Sequence, residues 1–147
     1  MTDAFHPDLP AAAKVHHVPA GSLDDATTQS AGMRRLAAIS GARVGAERLW
    51  MGQSHVAPGV SSGNHHHGDS ESAIYVVSGR PEFVFLGEDG GERHIRTGPG
   101  DYVFVPPFLP HREENPSPDE DAVIVIARST QEAIVVNLPE LSVYRPG

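Results

Sequence analysis

The stretch Gly59–Gly79 decides the fold of this 147-residue chain, and it reads GVSSGNHHHGDSESAIYVVSG. Its centre carries three consecutive histidines, His65, His66 and His67. Side chains alternate between the two faces of a β-strand, so a strand here would point His65 and His67 to one face and His66 to the other. Neutral imidazoles are common ligands of divalent metals. The stretch therefore predicts a strand that presents two metal ligands on one face.

A second stretch, Gly100–Asn115, supplies a third histidine and reads GDYVFVPPFLPHREEN. Its apolar segment predicts a strand, and the prolines that follow stiffen a turn just before His111. A single histidine of this kind would more often be structural. Because the first stretch already offers two ligands, we regard His111 as the third candidate ligand. The carboxylate of Glu71 is the expected fourth ligand, with His55 or His66 as alternatives.

Together the two stretches resemble the paired signature motifs of the cupin superfamily, across roughly the central third of the chain. The first motif is Gly, five residues, His-x-His, three or four residues, Glu, six residues and Gly; the matching positions are Gly59, His65, His67, Glu71 and, one residue late, Gly79. The second motif is Gly, five residues, Pro-x-Gly, two residues, His, three residues and Asn; the matching positions are Gly100, Pro106, His111 and Asn115, with Phe108 in place of the glycine. This resemblance implies an all-β, single-domain jelly-roll barrel with a metal ion inside it.

Outside the motifs the chain also favours β-structure. Its 15 glycines and 13 prolines suit short strands joined by turns. Residues 1–40 are expected to form an N-terminal arm with an edge strand around Lys14–Val18, although Ser22–Ser40 could also be a helix, and residues 41–147 to form the barrel, as one domain overall. The predicted strands are Arg48–Val56, Val60–His67, Ser72–Val77, Glu82–Leu86, His94–Arg96, Tyr102–Val105, Ala122–Arg128 and Ala133–Asn137. Such regular spacing is typical of a sandwich or jelly-roll barrel.

The composition of the chain limits the classes of molecule that it is expected to bind. The formal net charge of −8 disfavours nucleic acid and anionic membrane surfaces, because both repel an acidic protein. With no cysteine, neither a disulfide framework nor a thiolate metal site can form. No apolar run approaches the ~20 residues of a membrane helix, and the first residues lack a leader pattern. We expect a cytoplasmic protein, monomeric or homodimeric, that acts on a small molecule.

The candidate ligands suit a single divalent transition metal and no second cofactor. Zn²⁺ is the expected ion, with Fe²⁺, Ni²⁺ and Mn²⁺ as alternatives, because imidazole and carboxylate ligands serve all of them. His65, His67 and His111 are then the catalytic residues through the metal that they hold. The barrel interior is expected to be apolar, with few positive charges, and a substrate pocket is predicted to be lined by Trp50, Tyr75, Phe104 and Phe108. The acidic residues Glu113, Glu114, Asp119, Glu120 and Asp121 are expected to form a solvated turn.

An apolar interior with a metal ion favours a flat, largely hydrophobic substrate that bears a carbonyl group. The chain looks most like the small cupins of secondary metabolism, and in particular the aromatic polyketide cyclases of the resistomycin type. That resemblance implies metal-assisted aldol cyclisation and dehydration. Two alternatives remain open: an Fe(II)-dependent cupin dioxygenase, and a non-catalytic cupin that binds a small molecule.

Overall fold

The computed structural model describes residues 13–27, 29, 31–131 and 134–144, and this part of the chain is almost entirely β-structure. It contains a 3₁₀ turn, Ala20–Ser22, one short helix, α1, Gly41–Val44, and ten strands. The strands are β1 Met33–Ile39, β2 Trp50–Val56, β3 His65–His66, β4 Ser72–Ser78, β5 Glu82–Leu86, β6 Glu92–Arg96, β7 Tyr102–Val105, β8 Arg112–Glu114, β9 Ala122–Arg128 and β10 Val136–Asn137. The all-β prediction is confirmed. Neither helical segment is long and apolar enough to cross a membrane, among the residues so described.

The strands form three antiparallel sheets. Five strands follow the order β1-β2-β9-β4-β7, three follow the order β6-β5-β8, and β10 pairs with β3. The segment Met33–Ile39, within the stretch that could have been a helix, is the edge strand β1, because its backbone pairs with β2 from Met33 opposite Val56 to Ile39 opposite Met51. The arm thus contributes β1 to the largest sheet, whereas residues 14–18, where the edge strand was expected, form no strand.

A hydrophobic core lies between the five-stranded and three-stranded sheets. Ile74, Val76, Val105 and Ile124 come from the first sheet and Phe83 from the second, and they form one buried cluster. Burying such side chains contributes about 1.5–3 kcal/mol each, and this joins the two sheets face to face as a β-sandwich. A smaller cluster of Met33, Val56 and Ala122 lies farther along the same inner face.

The alternation of side chains along β4 and β7 determines on which face of the sheet Tyr75 and Phe104 lie. Because Ile74 and Val76 face the core, Tyr75 faces outward and is 36% exposed, with its ring 4.9 Å from that of Tyr102. Phe104 is 59% exposed on the neighbouring strand β7. The structure therefore places Tyr75 and Phe104 on the outer surface of the sheet, and the expectation that they line an interior pocket is corrected.

The last residue of the second motif, Asn115, is a structural residue. Its buried side-chain amide donates to the carbonyl of Val56 at 3.0 Å and to that of Glu120 at 2.7 Å. Its side-chain oxygen accepts from the Ser117 backbone N–H at 3.2 Å. These bonds fix the turn that follows β8 against the end of β2.

Candidate metal centre

The two histidine stretches meet through backbone hydrogen bonds. His65 and His111 form an antiparallel bridge in which each backbone N–H donates to the other residue's carbonyl, both at 2.9 Å. This pairing holds the two rings side by side, with centroids 4.5 Å apart. The ring of His67 lies 4.7 Å from that of His65 and 5.1 Å from that of His111. The predicted three histidines are thus brought together in one cluster.

Each of these three rings is held by a backbone carbonyl at Nδ1. His65 bonds to Gly63 at 2.9 Å and His111 bonds to Leu109 at 2.9 Å. His67 bonds to the distant carbonyl of Ile134 at 2.8 Å. A carbonyl oxygen only accepts, so Nδ1 must carry the proton in each neutral ring and Nε2 is left with its lone pair. Metal-binding histidines are oriented in this way by their outer-shell partners.

The carboxylate beside the histidines belongs to Glu113. It lies two residues after His111, so both side chains point to the same face of the chain around β8. The Glu113 side chain is only 13% exposed, and its Oε1 lies 3.4 Å from Nε2 of His111. The expectation that Glu113 belongs to a solvated acidic turn is therefore corrected. The spacing His111-x-Glu113 repeats the spacing His65-x-His67, and this signal could have identified it.

Glu71 does not join the group. It is exposed just before β4, where its backbone N–H donates to the hydroxyl of Ser129 at 2.9 Å. The next residue, Ser72, is buried and faces the interior, so alternation turns Glu71 outward. The structure thus places Glu113, in place of Glu71, as the fourth potential ligand.

The other two candidates for a fourth ligand also lie elsewhere. His55 is on the outer face of β2 and contacts Gln53 at 3.2 Å. His66 points away from its two neighbours, accepts a hydrogen bond from the backbone of Gly68 at 3.0 Å and lies 5.9 Å from the ring of Phe108. The strand geometry predicted for the histidine run explains why His66 is separated from the cluster.

Phe108 occupies a strained backbone position beside the cluster. It is the one non-glycine residue with a positive φ, 63°, in the part of the chain that the structure describes. The motif prefers glycine there, since a side chain in the left-handed region costs about 1 kcal/mol or more. Its backbone N–H donates to the carbonyl of Gly68 at 2.7 Å, and its ring is 53% exposed. This contact links the turn before His111 to the turn after His67.

The surroundings of His65 and His67 keep these two rings neutral, as metal binding requires. Burial lowers the pKa of His65, although the Glu113 carboxylate opposes this, and burial with the charge of His65 lowers the pKa of His67 to about 4. Although burial alone would raise it, the His111 imidazole at 3.4 Å and the other nearby histidines hold the pKa of Glu113 at about 2. Burial opposes a charge on His111 as well, but the Glu113 carboxylate outweighs it and raises the pKa of His111. Glu113 is therefore a carboxylate at neutral pH, and His65 and His67 are neutral.

The donor set fits a divalent transition metal. The ligand atoms of His65, His67, His111 and Glu113 all lie within 4.8 Å of one another. Atoms that bind one ion at about 2.0–2.2 Å lie at most about 4.4 Å apart, so the group needs to contract by only a few tenths of an ångström. Nε2 of His111 is buried without a hydrogen-bond partner, which is the situation of an atom placed to bind a cation. The described residues thus provide three imidazoles and one carboxylate for a single ion.

Two guanidinium groups share the interior with these ligands. On β9, Arg128 pairs with Trp50 on one side and Ser72 on the other, both of them buried, and its guanidinium lies 4.0 Å over the Trp50 ring. Arg35 pairs with the buried Ser54. Its charge acts on both His65 and Arg128. The expectation of an apolar interior with few positive charges is therefore corrected, because strands distant in sequence bring both arginines to the inner face.

The proton balance of metal binding follows from these pKa values. At pH 6 the metal-free protein holds a proton on His111, whose pKa is raised, while His67 is neutral because its pKa is about 4, and the pKa of His65 is lowered as well. We expect Mn²⁺ binding at pH 6 to release fewer protons than the roughly two that three ordinary imidazoles would release. Calorimetric titration in two buffers of different ionisation enthalpy measures this number. Release of two or more protons would contradict the assignment.

The chain resembles known proteins in both sequence and structure. The sequence pattern described as "Cupin domain" matches residues 52–127, which is more than half of the chain and includes all four clustered residues. Acireductone dioxygenases of Bacillus pumilus (strain SAFR-032) and Bacillus subtilis (strain 168) are each 43% identical to this chain over 47 residues, or 32% of the chain. This chain matches only 26% of the length of those relatives.

Solved structures agree on the fold. Oxalate decarboxylase from Bacillus subtilis superposes with a TM-score of 0.65 at 22% identity, over 75% of this chain and 28% of that chain. An oxalate oxidase in complex with the substrate analogue glycolate superposes with a TM-score of 0.63 at 19% identity, over 74% of this chain and 56% of that one. At these identities the likeness establishes the architecture alone.

Proposed function

This chain belongs to the cupin domain family, and from that premise we propose that it is a metal-dependent dioxygenase acting on a small carbonyl-bearing substrate. The observation that carries the proposal is the buried group of His65, His67, His111 and Glu113. Its partial relatives named as acireductone dioxygenases support a metal-dependent oxidative enzyme.

The number of protein ligands bears on the choice of ion. Four protein ligands complete the tetrahedral shell typical of Zn²⁺, and closed shells of that kind are structural. An ion with a six-coordinate shell, such as Fe²⁺, Mn²⁺ or Ni²⁺, would keep two positions for small molecules. When bound, such an ion would supply a site where O₂ and an enolate oxygen meet. The geometry therefore favours these ions over the expected Zn²⁺.

The chain's own residues prepare that site. The carbonyls of Gly63, Leu109 and Ile134 hold the three rings in the tautomer that directs Nε2 inward. Because its pKa stays near 2, Glu113 contributes a negative charge that offsets part of the ion's charge. Trp50 is buried at one end of β2 and excludes water from that part of the interior.

The cyclase hypothesis loses its structural basis, although it remains testable. It depended on an apolar aromatic interior, but Tyr75 and Phe104 lie on the outer surface, and Arg35 and Arg128 lie on the inner face. An aldol cyclisation needs no O₂, whereas a dioxygenase reduces O₂ by four electrons and places both oxygen atoms in the products. The requirement for O₂ is thus the property that separates the two functions.

An oxygen-electrode assay tests the proposal. Protein loaded with Fe²⁺, Mn²⁺, Ni²⁺ or Zn²⁺ is incubated with a panel of small enolisable 2-oxo acids and diketones. We expect O₂ consumption matched by substrate loss with at least one redox-active ion and none with Zn²⁺, and ¹⁸O₂ should label the products. Turnover of the zinc form without air would indicate a cyclase or lyase, and ligand binding without any turnover would indicate a binding protein. Either result would overturn the proposal.

A further inference from the structure

The side chain of Arg128 has a feature that the metal centre does not explain. Its Nε is buried and has no hydrogen-bond partner among the described residues, although the guanidinium group packs over the Trp50 ring at 4.0 Å. Leaving a buried charged donor without an acceptor costs free energy of folding. Such groups in native proteins usually bind a ligand or an ordered water. The flat face of the guanidinium is used by Trp50, which leaves its edge, where the N–H groups lie, for an acceptor.

Strand order brings further polar groups to this place. β9 lies between β2 and β4 in the five-stranded sheet, and β1 lies on the other side of β2. Arg35 on β1 is opposite Ser54 on β2, whose hydroxyl is likewise buried without a hydrogen-bond partner. Trp50 and Gly52 complete the inner face of β2, where a Cβ on Gly52 would lie 2.6 Å from the Trp50 ring. The absence of a side chain at Gly52 therefore leaves room for the ring that supports Arg128.

Arg128 keeps its positive charge in this interior. Burial, with the charge of Arg35, lowers the pKa of Arg128 to about 10, so that it remains a cation at neutral pH. A bound divalent ion would add positive charge to the same interior. A buried cation whose Nε lacks an acceptor calls for an anionic partner, and a neutral hydrophobic substrate would supply none.

We propose that Arg128, aided by the charge of Arg35, binds an anionic oxygen group of the substrate, a carboxylate or an enolate, in the barrel interior near the histidine centre. The inference rests on the proposed function, and it replaces the expected neutral, hydrophobic substrate with a small organic anion. Arginine suits this role because its planar fork forms two charge-assisted hydrogen bonds with a carboxylate.

Calorimetric titration of the Mn²⁺-loaded protein with pyruvate and with pyruvamide tests the inference. The two probes share a 2-oxo skeleton of the same size and differ in charge. We expect the wild-type protein to bind pyruvate at least ~10-fold more tightly than pyruvamide, as charge-assisted hydrogen bonds imply. Arg128→Gln should weaken pyruvate binding ~10–100-fold and leave pyruvamide binding unchanged. Metal content, measured for every variant, should be the same.

Two further comparisons of variants control for effects on charge and on folding. Arg34 and Arg35 are neighbours on β1, but Arg34 is 66% exposed and lies 4.0 Å from Asp25. Arg35→Gln should therefore weaken pyruvate binding and Arg34→Gln should not. Arg128→Lys keeps the charge but loses the fork, so an intermediate affinity is expected, and this variant also serves if Arg128→Gln fails to fold. Equal affinity of the wild type for the two probes, or an unchanged preference in Arg128→Gln and Arg35→Gln, would overturn the inference.

This outcome is independent of the reaction class. Pyruvate binding that depends on Arg128, in a protein that consumes no O₂ with any substrate, would leave the inference standing and reject the dioxygenase proposal. O₂ consumption with an uncharged substrate, unaffected by Arg128→Gln, would do the reverse.

Discussion

Replacing His111 by alanine is expected to remove metal binding almost completely. His111 contributes one of the three imidazoles, and its backbone bridge to His65 leaves the two halves of the centre facing each other. The loss of one outer-shell hydrogen bond already lowers metal affinity ~10–100-fold, so the loss of a ligand should exceed ~100-fold. Elemental analysis of the purified variant, followed by titration with Mn²⁺, measures the effect.

His55→Ala is the matched control for this experiment. His55 lies on the outer face of β2, and its ring contacts Gln53 rather than the cluster. We expect its metal content to equal that of the wild type. Because His111→Ala also leaves the carboxylate of Glu113 buried without its partner, thermal unfolding of both metal-free variants should be recorded. Stoichiometric metal in folded His111→Ala would refute the assignment of the centre.

The second large effect is expected from Glu113→Gln, which removes the carboxylate and keeps its shape. We expect a fall in metal affinity of ~100-fold or more, because a charged ligand becomes a neutral amide in a buried site. The pKa of His111 should fall at the same time, since the Glu113 carboxylate is what raises it. Proton NMR titration of the metal-free protein follows that pKa independently of the metal.

Glu71→Gln is the comparison that decides between the two carboxylates. The sequence motif favours Glu71, whereas the structure exposes it and buries Glu113. We expect metal affinity in Glu71→Gln to match the wild type within about twofold, as is usual for exposed substitutions. A larger loss in Glu71→Gln than in Glu113→Gln would show that the first motif binds the ion in a different register.

Four strands and the shared direction of His65 and His67 could be predicted because their signals are local, whereas β1 and β8 were not predicted and the predicted strand Val60–His67 is only His65–His66. Turns mark the ends of β4, β5, β7 and β9, and the predicted bounds agree with the structure within a residue for each of these strands. The spacing of His65 and His67 needs only the alternation of a strand. The fold and the imidazole cluster therefore followed from short-range patterns.

The carboxylate and the aromatic residues were harder to place, since each depends on which face of a strand is buried. Ala73, Tyr75 and Val77 on the outer face of β4 are as apolar as the buried residues between them, so alternation gives no contrast there. Whether Glu71 points in or out depends on Ser72, whose inward direction is fixed by pairing with Val105 and Arg128. A short sequence pattern does not indicate which residues of distant strands will pair with it.

The inward direction of Arg128 could have been predicted from alternation along β9, but its proximity to other charged residues depends on distant parts of the chain. In β9, Ala122 and Ile124 are buried, and the same parity carries Arg128 to the inner face. Arg35, whose charge acts on Arg128, comes from β1, which reaches the same interior only through the order of the five-stranded sheet. Long-range strand order is the property that a single sequence specifies least directly.

The hydrogen bond from His67 to the carbonyl of Ile134 has a consequence for the order of folding. It joins residues 67 positions apart, and the bridge between His65 and His111 likewise joins distant segments. Contacts of this kind form late, after the costly closure of long loops. A nascent chain therefore lacks the bond that orients His67 until the segment around Ile134 has been synthesised and has reached β3. Metal in the refolding buffer should leave the refolding rate unchanged and slow unfolding, since an ion that binds only the finished centre stabilises the product rather than the transition state.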